Sequence, residues 1–497
     1  MPNKIVWIAC LLIFAAASCA DPGGSGTKTQ SDGSSSDTGT TTDTYVSDIP
    51  SSDLTGVDQS LDTSVQDATQ VDSTSFDTSQ PELPPPQPPG TVAGIVWAPG
   101  SAPGMVPPGQ EIPVSGADVY VSTNKPDDIP QHAYCELCVP LPVSGVETDA
   151  KGHFSVSNDP GTYWLIIKKG QFRIEQQVTL APNLTLTLTQ AQTTLPKSHD
   201  PANGRWTPRI AVAVGNYDHL EDIFGKIGMG SVNGSGDFNP SSATGYFDVW
   251  YNGGSGFDAI SKGNLDTLVG SLSLMQQYHI IIIPCAAGNF TGALQSPAVL
   301  KNIRDYVASG GKLYVTDWSG EWHDNVFPSA ITLEPSEDTP PNAYNFAANT
   351  WNPSLFGDAD GSPYETPNGE ATDPDLFAWL NGQQGPTISS SSTSSYNAGN
   401  FEVEGNWNTI ESVGQVQIGT GVGGAAIYNT PHVYVKGGKD IAPTPKYPLT
   451  VTYEPTGCGR VLYSTYHTTD TTHVGLVPQE RVLLYLIMEI GTCQDLT

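Results

Sequence analysis

Basic residues are scarce in this chain: 20 Lys and Arg stand against 51 Asp and Glu in 497 residues, a formal net charge of −31. No Lys/Arg cluster occurs anywhere, so the electrostatic footprint of a nucleic-acid binder is missing and no nucleic-acid partner is expected. Long apolar runs are also lacking beyond the first twenty residues. The longest, from Ile280 to Cys285, has the length of a strand and not of a membrane span. Helical periodicities are few, whereas 52 Gly and 41 Pro punctuate the sequence. That combination predicts a body rich in strands and loops.

What the chain does have begins at its N-terminus. Lys4 precedes an apolar run over 5–17, and the small residues Ala16, Ala17 and Ser18 lead into Cys19. Such a layout is an export signal and not a structural helix. It resembles a bacterial lipoprotein signal, which implies cleavage over 1–18 and lipidation of Cys19; a plain secretory signal cut nearby is the alternative. Ala16 stands where that pattern most often has Leu, and Ala20 after the cysteine matches many outer-membrane lipoproteins. The expected address is therefore the bacterial outer membrane or cell surface, with the membrane a partner through the lipid. Residues 19–90 read as a tether. Ser, Thr, Asp, Gly and Gln dominate up to about 80, with Lys28 the single base, and PELPPPQPP follows over 81–89. A segment with so little apolar surface cannot offset its ordering entropy, its like charges extend it, and the prolines stiffen its end.

Besides Cys19, five cysteines remain after processing, and export makes disulfides the default. Cys135 and Cys138 form a C-x-x-C between prolines. Only His132 lies near enough to complete a zinc site, and the motif does not open a helix as a redox pair would. A local Cys135–Cys138 disulfide is expected, with Cys458–Cys493 stapling the C-terminus and Cys285 left reduced.

Residues 91–197 alternate in short strands separated by Gly, Pro, Asn and Asp turns, the pattern of an all-β sandwich. Gly94-Ile95-Val96, Gly116 to Val119, Thr148 to Phe154 and Pro160 to Tyr163 resemble the carboxypeptidase regulatory-like (prealbumin-like) sandwich. The resemblance implies a spacer or binding module without catalytic residues. From 208 the pattern changes. Strands at 209–214, 246–251, 278–284 and 312–316 alternate with helical stretches at 219–226, 265–277 and 294–309, and several strands are apolar on both faces. This predicts an α/β, flavodoxin-like parallel sheet covered on both sides.

Gly215, Tyr217, Asp218 and His219, the 278–284 strand, Tyr306-Val307 with Gly310-Gly311, and the strand running from Cys458 to His467 resemble the class I glutamine amidotransferase-like fold, in its trehalose-utilisation-type branch. The whole arrangement looks like lipoproteins of myxobacteria. The α/β domain then spans 208–497, with a long Asn-, Ser-, Gly- and Trp-rich insertion over 318–447 and a closing helix over 479–490. In that family the nucleophilic cysteine sits at the turn after the 312–316 strand. Here that turn is Asp317-Trp318-Ser319-Gly320, and Thr469 replaces the family's glutamate. The resemblance thus implies a degenerate site without glutaminase activity.

In such sheets the ligand lies beyond the C-terminal ends of the strands. That edge collects Tyr217, Asp218 and His219 from the first strand and Cys285 from the third. It adds Asp317, Trp318, Ser319 and Glu321 from the fourth, and His467 and Asp470 from the last. Three readings follow. The edge binds a carbohydrate or protein ligand without chemistry; or Cys285 or Ser319 works with His467 and an acid such as Asp317 as a hydrolase; or Asp218, Asp317, Glu321 and His467 hold a metal. The first is the expectation, with no cofactor. The acidic loop Asp358 to Gly361 echoes part of a calcium loop but lacks its spaced glutamate.

Overall fold

The computed structural model describes residues 85–100, 111–243, 245–286, 293–334, 344–345, 350–351, 367–382, 399–438, 444–468 and 473–492. Residues 1–18 and Cys19, most of the stretch expected to be a tether, the loop at 358–361, Thr469, Asp470 and Cys493 lie outside them. The described chain is mostly sheet with few helices. Among these residues no helix is long and apolar enough to cross a membrane.

A nine-stranded sheet carries the site. Its strands are β1 (Ile210–Val214), β2 (Asp248–Tyr251), β3 (Ile280–Ile283), β4 (Lys312–Thr316), β5 (Asn368–Ala371), β6 (Asn400–Glu402), β7 (His432–Gly437), β8 (Tyr447–Tyr453) and β9 (Arg460–Ser464). Their spatial order is β2-β1-β3-β4-β9-β8-β7-β5-β6. The first five in that order pair in parallel and the remaining pairs are antiparallel. The antiparallel half comes largely from the 318–447 insertion, which extends the sheet through β5, β6 and β7.

The parallel strands read as unbroken apolar runs because both of their faces are buried. Ile210, Val212, Ile280, Ile282 and Leu462 enter one core, while Ala211, Ala213, Ile281, Ile283, Val461 and Tyr463 enter the other. The helices α1 (Leu220–Lys226) and α4 (Pro478–Ile490) cover the first face. The second packs against α2 (Pro297–Ala308) and two short helices, Leu265–Val269 and Leu272–Met275. The continuous helix expected over 265–277 is broken at Gly270 and Ser271. Glycine costs about 1 kcal/mol against alanine inside a helix, and serine competes for the backbone at a new helix start.

Residues 90–206 form a three-stranded sheet (His153–Asn158, Gly90–Ile95, Thr185–Thr187) and a five-stranded one. The five-stranded sheet runs in the order Val146–Glu147, Asp118–Ser122, Gly161–Lys169, Phe172–Leu180, Arg205–Trp206. Val92, Val119, Leu165 and Ile174 of these sheets share one continuous core with α4 and with Trp379 of α3 (Pro374–Gly382). Trp379 Nε1 donates to Pro113 O at 2.8 Å, and Lys169 Nζ pairs with Glu489 at 2.6 Å. Every residue of α4 except Glu489 is buried.

The disulfide expectation is corrected here. Cys135 pairs with Cys458, 323 residues away, and neither Cys135–Cys138 nor Cys458–Cys493 forms. Cys138 is disulfide-bonded as well, and its partner lies outside the described residues. The cause is how the cysteine loop docks. Ala133 N donates to Gln276 O at 2.8 Å, His279 Nε2 to Pro130 O at 2.7 Å, and Lys312 Nζ lies 5.8 Å from the Tyr134 ring centroid. The loop therefore lies across the starts of β3 and β4, where Cys458 enters β9. Burial holds His279 well below its ordinary range, at about 4, against the raising pull of the Pro130 carbonyl and with the Lys312 charge adding to the drop. Its Nδ1 accepts from Arg209 N while Nε2 donates to Pro130 O. Cys285 is free and buried.

Candidate functional site

The site sits at the opposite end of the parallel strands. The chain leaves β4 into a 3-10 turn, Asp317–Gly320, and then a short helix, Glu321–Asp324. Asp317 opens that turn at φ +45°, in the left-handed region. Asp and Asn tolerate this conformation better than most residues because their short polar side chains bond locally. A sharp strand-to-helix turn of this kind presents a nucleophile in many hydrolases. Here it presents a fully buried carboxyl group.

Asp317 Oδ1 accepts from Trp407 N at 2.9 Å, while Oδ2 has no hydrogen-bond partner. His467 Nε2 faces Oδ2 at 3.7 Å, and the His467 Nδ1 side is fixed by a 2.6 Å bond to Thr468 O. A carbonyl can only accept, so Nδ1 carries the proton. One atom each of Cys285, Asp317 and His467 lie within 4.8 Å of one another, and all three residues are buried. Burial pushes the Asp317 carboxyl up to about 8, against the opposing pull of His467 and the Trp407 amide. Burial, followed by the fields of Asp317 and Asp218, drives the Cys285 thiol well above its ordinary value. A neutral acid and a neutral thiol are both poor nucleophiles.

Asp218 organises the constellation from behind. Its Oδ2 accepts from Thr316 Oγ1 at 2.5 Å, and its Oδ1 accepts from Thr468 N at 3.1 Å and Thr468 Oγ1 at 2.8 Å. Thr316 Oγ1 in turn accepts from Cys285 N at 2.9 Å. One carboxylate thereby ties together the chain segments that bear Cys285, Asp317 and His467.

The other candidates serve elsewhere. Ser319 Oγ donates to Pro284 O at 2.8 Å, so its proton goes to the backbone and not to a histidine. Glu321 Oε2 accepts from Asn325 Nδ2 on the short helix. His219 is half exposed, stands at the N-cap position of α1 and pairs with buried Glu221 at 3.0 Å, which raises it to about 9. Trp318 and Tyr217 form the outer wall. Their ring centroids are 6.1 Å apart, and Trp318 lies 6.0 Å from Trp407. Tyr217 and Trp407 are exposed by 45% and 37%, which makes them the part of the site a ligand can reach.

Sequence reasoning missed the 405–408 stretch of the insertion. Asn406 bridges to Tyr466 and its Oδ1 accepts from Thr465 Oγ1 at 2.6 Å, while Asn408 Nδ2 reaches Asp317 O at 3.4 Å. Gly405, at φ +67°, lies flat on the His467 imidazole, and a Cβ there would fall 2.3 Å from Cε1. The E-G-N-W-N run carries no periodicity; its one signal is a glycine and a tryptophan packed among amides. Gly405→Ala should cost roughly 1–3 kcal/mol by overpacking and backbone strain. Urea unfolding checks this, and an unchanged midpoint would mean that the ring does not rest on Gly405.

No protein-family model and no curated protein matches the chain. Among solved structures, a putative ThuA-like protein from Bacteroides uniformis is 9% identical, over 56% of this chain and 89% of its own, with a TM-score of 0.29. A cytoplasmic protein from Salmonella typhimurium is 12% identical, over 57% of this chain and 98% of its own, with a TM-score of 0.29. Likeness at that level carries nothing for the reading of the site.

Proposed function

We propose that the protein is exported, is held to the bacterial envelope through lipid on Cys19, and binds a carbohydrate at the edge of its α/β sheet without hydrolysing it. The carrying observation is the contrast between the rim and the floor of the site. Tyr217 and Trp407 are exposed rings on either side of half-buried Trp318, whereas Cys285 and Asp317 are buried, which keeps the metal-free thiol and carboxyl group protonated. Aromatic walls with few polar anchors suit sugar rings, whose apolar faces stack on them. The parallel order β2-β1-β3-β4-β9 supports a flavodoxin-like layout of the amidotransferase-like type. The two small sheets of 90–206 support the carboxypeptidase regulatory-like sandwich.

The anchor and the ligand are tested together. In a Gram-negative host the full chain should take up labelled palmitate, and Cys19→Ser should abolish the labelling; a variant that still labels removes the anchor. The detergent-extracted protein should then bind envelope or capsular glycans on an array. Trp407→Ala should weaken that binding by roughly 10-fold or more, as expected for a truncated aromatic anchor. Binding unaffected by this change would move the ligand elsewhere.

A further inference from the structure

Cys285, Asp317 and His467 meet as a thiol, a carboxyl group and an imidazole from three strand ends, and the spacing between them is informative. The 3.7 Å from His467 Nε2 to Asp317 Oδ2 is too long for a hydrogen bond. It is close to the edge of a tetrahedron around one zinc ion, roughly 3.4 Å for nitrogen and oxygen ligands about 2.1 Å from the metal. All three donor atoms fall within 4.8 Å of one another. Asp317 Oδ2 is completely buried and makes no hydrogen bond of ordinary length, with the His467 imidazole 3.7 Å away and the Cys285 thiol set against the same carboxyl group. A buried carboxyl oxygen so poorly satisfied is costly. We infer that Cys285, Asp317 and His467 bind a zinc ion through Sγ, Oδ2 and Nε2, with a fourth position for water or a ligand oxygen.

The surroundings have the form of a metal site. Histidine ligands donate their second ring N–H to a carbonyl or carboxylate, which orients the ring and fixes the tautomer. His467 does so through Nδ1 to Thr468 O at 2.6 Å. Asp317 Oδ1 is held by Trp407 N, which turns the other oxygen toward the cluster. Asp218, through Thr316 and Thr468, braces the backbone of all three donors. The charges also close. A thiolate, a carboxylate and a neutral imidazole around a doubly charged ion sum to zero, so the dry site holds no net charge. The donor set selects the metal, because sulfur and nitrogen beside a single carboxylate suit zinc and not calcium or magnesium. This differs from the sequence-based metal reading: Asp218 and Glu321 are committed to other partners, and Cys285 supplies the third ligand.

The test uses the full chain extracted in detergent, stripped with a chelator and titrated with zinc or cobalt alone. One equivalent should bind. Cobalt should give a thiolate-to-metal charge-transfer band with the intense visible bands of a tetrahedral ion, and zinc should bleach both. Cys285→Ser should remove the charge-transfer band. Asp317→Asn and His467→Gln should each weaken zinc binding on the order of 100-fold, at least as much as losing an outer-shell partner. If a variant fails to fold by circular dichroism, the wild-type band still decides. Cys135, Cys138 and Cys458 are oxidised, and Cys285 is the free thiol among the described residues. Absence of the band from the cobalt-treated wild type, or zinc affinity unchanged in folded Cys285→Ser, overturns the site.

Discussion

Replacing Cys135 and Cys458 together by serine should cost the folded chain on the order of 5 kcal/mol. The bond closes a loop of 323 residues, and the chain entropy removed from the unfolded state grows with the logarithm of loop length. The cost falls on a loop whose other covalent tie is the disulfide of Cys138. The cysteine loop is held to the starts of β3 and β4 by a few hydrogen bonds and one cation–ring contact, and the disulfide fixes its end. Chemical denaturation of the double variant against wild type, both non-reduced, measures the loss. A difference under about 1 kcal/mol would mean that the unfolded chain is already compact or that the bond is strained.

The second large effect is expected from Asp317→Asn in chelator-treated protein. The carboxyl titrates near 8 in the fold, chiefly because it is buried, and near 3.9 when unfolded. Between those values the folded state keeps a proton that the unfolded state has released. Stability therefore falls as pH rises through that window, by at most about 1.4 kcal/mol per unit from this group. Asparagine removes the titration, keeps an oxygen for Trp407 N, and tolerates the left-handed backbone as aspartate does. The variant should match wild type near pH 4 and exceed it by a few kcal/mol near pH 8. Melting curves of both proteins at pH 4, 6 and 8 give the comparison. His219 and Asp222 also titrate in the folded chain, but they are common to both proteins and cancel in the difference. Parallel pH profiles would show that Asp317 ionises freely in the fold.

Much of the parallel sheet was legible because its strands are short, apolar on both faces and separated by helical periodicity. Ile210–Val214, Ile280–Ile283 and Lys312–Thr316 could hardly be anything else. Which residues follow those strands was legible too, and so Cys285, Asp317 and His467 were named in advance. Where each side chain turns after leaving its strand was not. Ser319 and Glu321 sit two and four residues past Asp317, yet the 3-10 turn aims one at Pro284 O and the other at Asn325. The cysteine pairing was unreadable for a related reason. Nearness in sequence suggested Cys135–Cys138, but the partner was set by where a loop without periodicity docks on a sheet that forms far downstream. The insertion hid Gly405 and Trp407 in the same way, because contact with His467 and Asp317 leaves no mark on local composition.

Helix α4 lies far along the chain from the strands it helps to bury, and it packs mainly on β6, β9 and α3. The two small sheets of 90–206 face each other directly, with Val92, Val119, Leu165 and Ile174 in the core, so they can close early. The nine-stranded sheet cannot: Ile210, Val212 and Ile280 on one of its faces share their core with Leu483, Leu484 and Ile487, far downstream. Such non-local closure is slow and leaves apolar surface uncovered while it waits. A chain truncated before residue 478 should therefore keep the strands of 90–206 paired but leave that face of the large sheet bare and prone to aggregate.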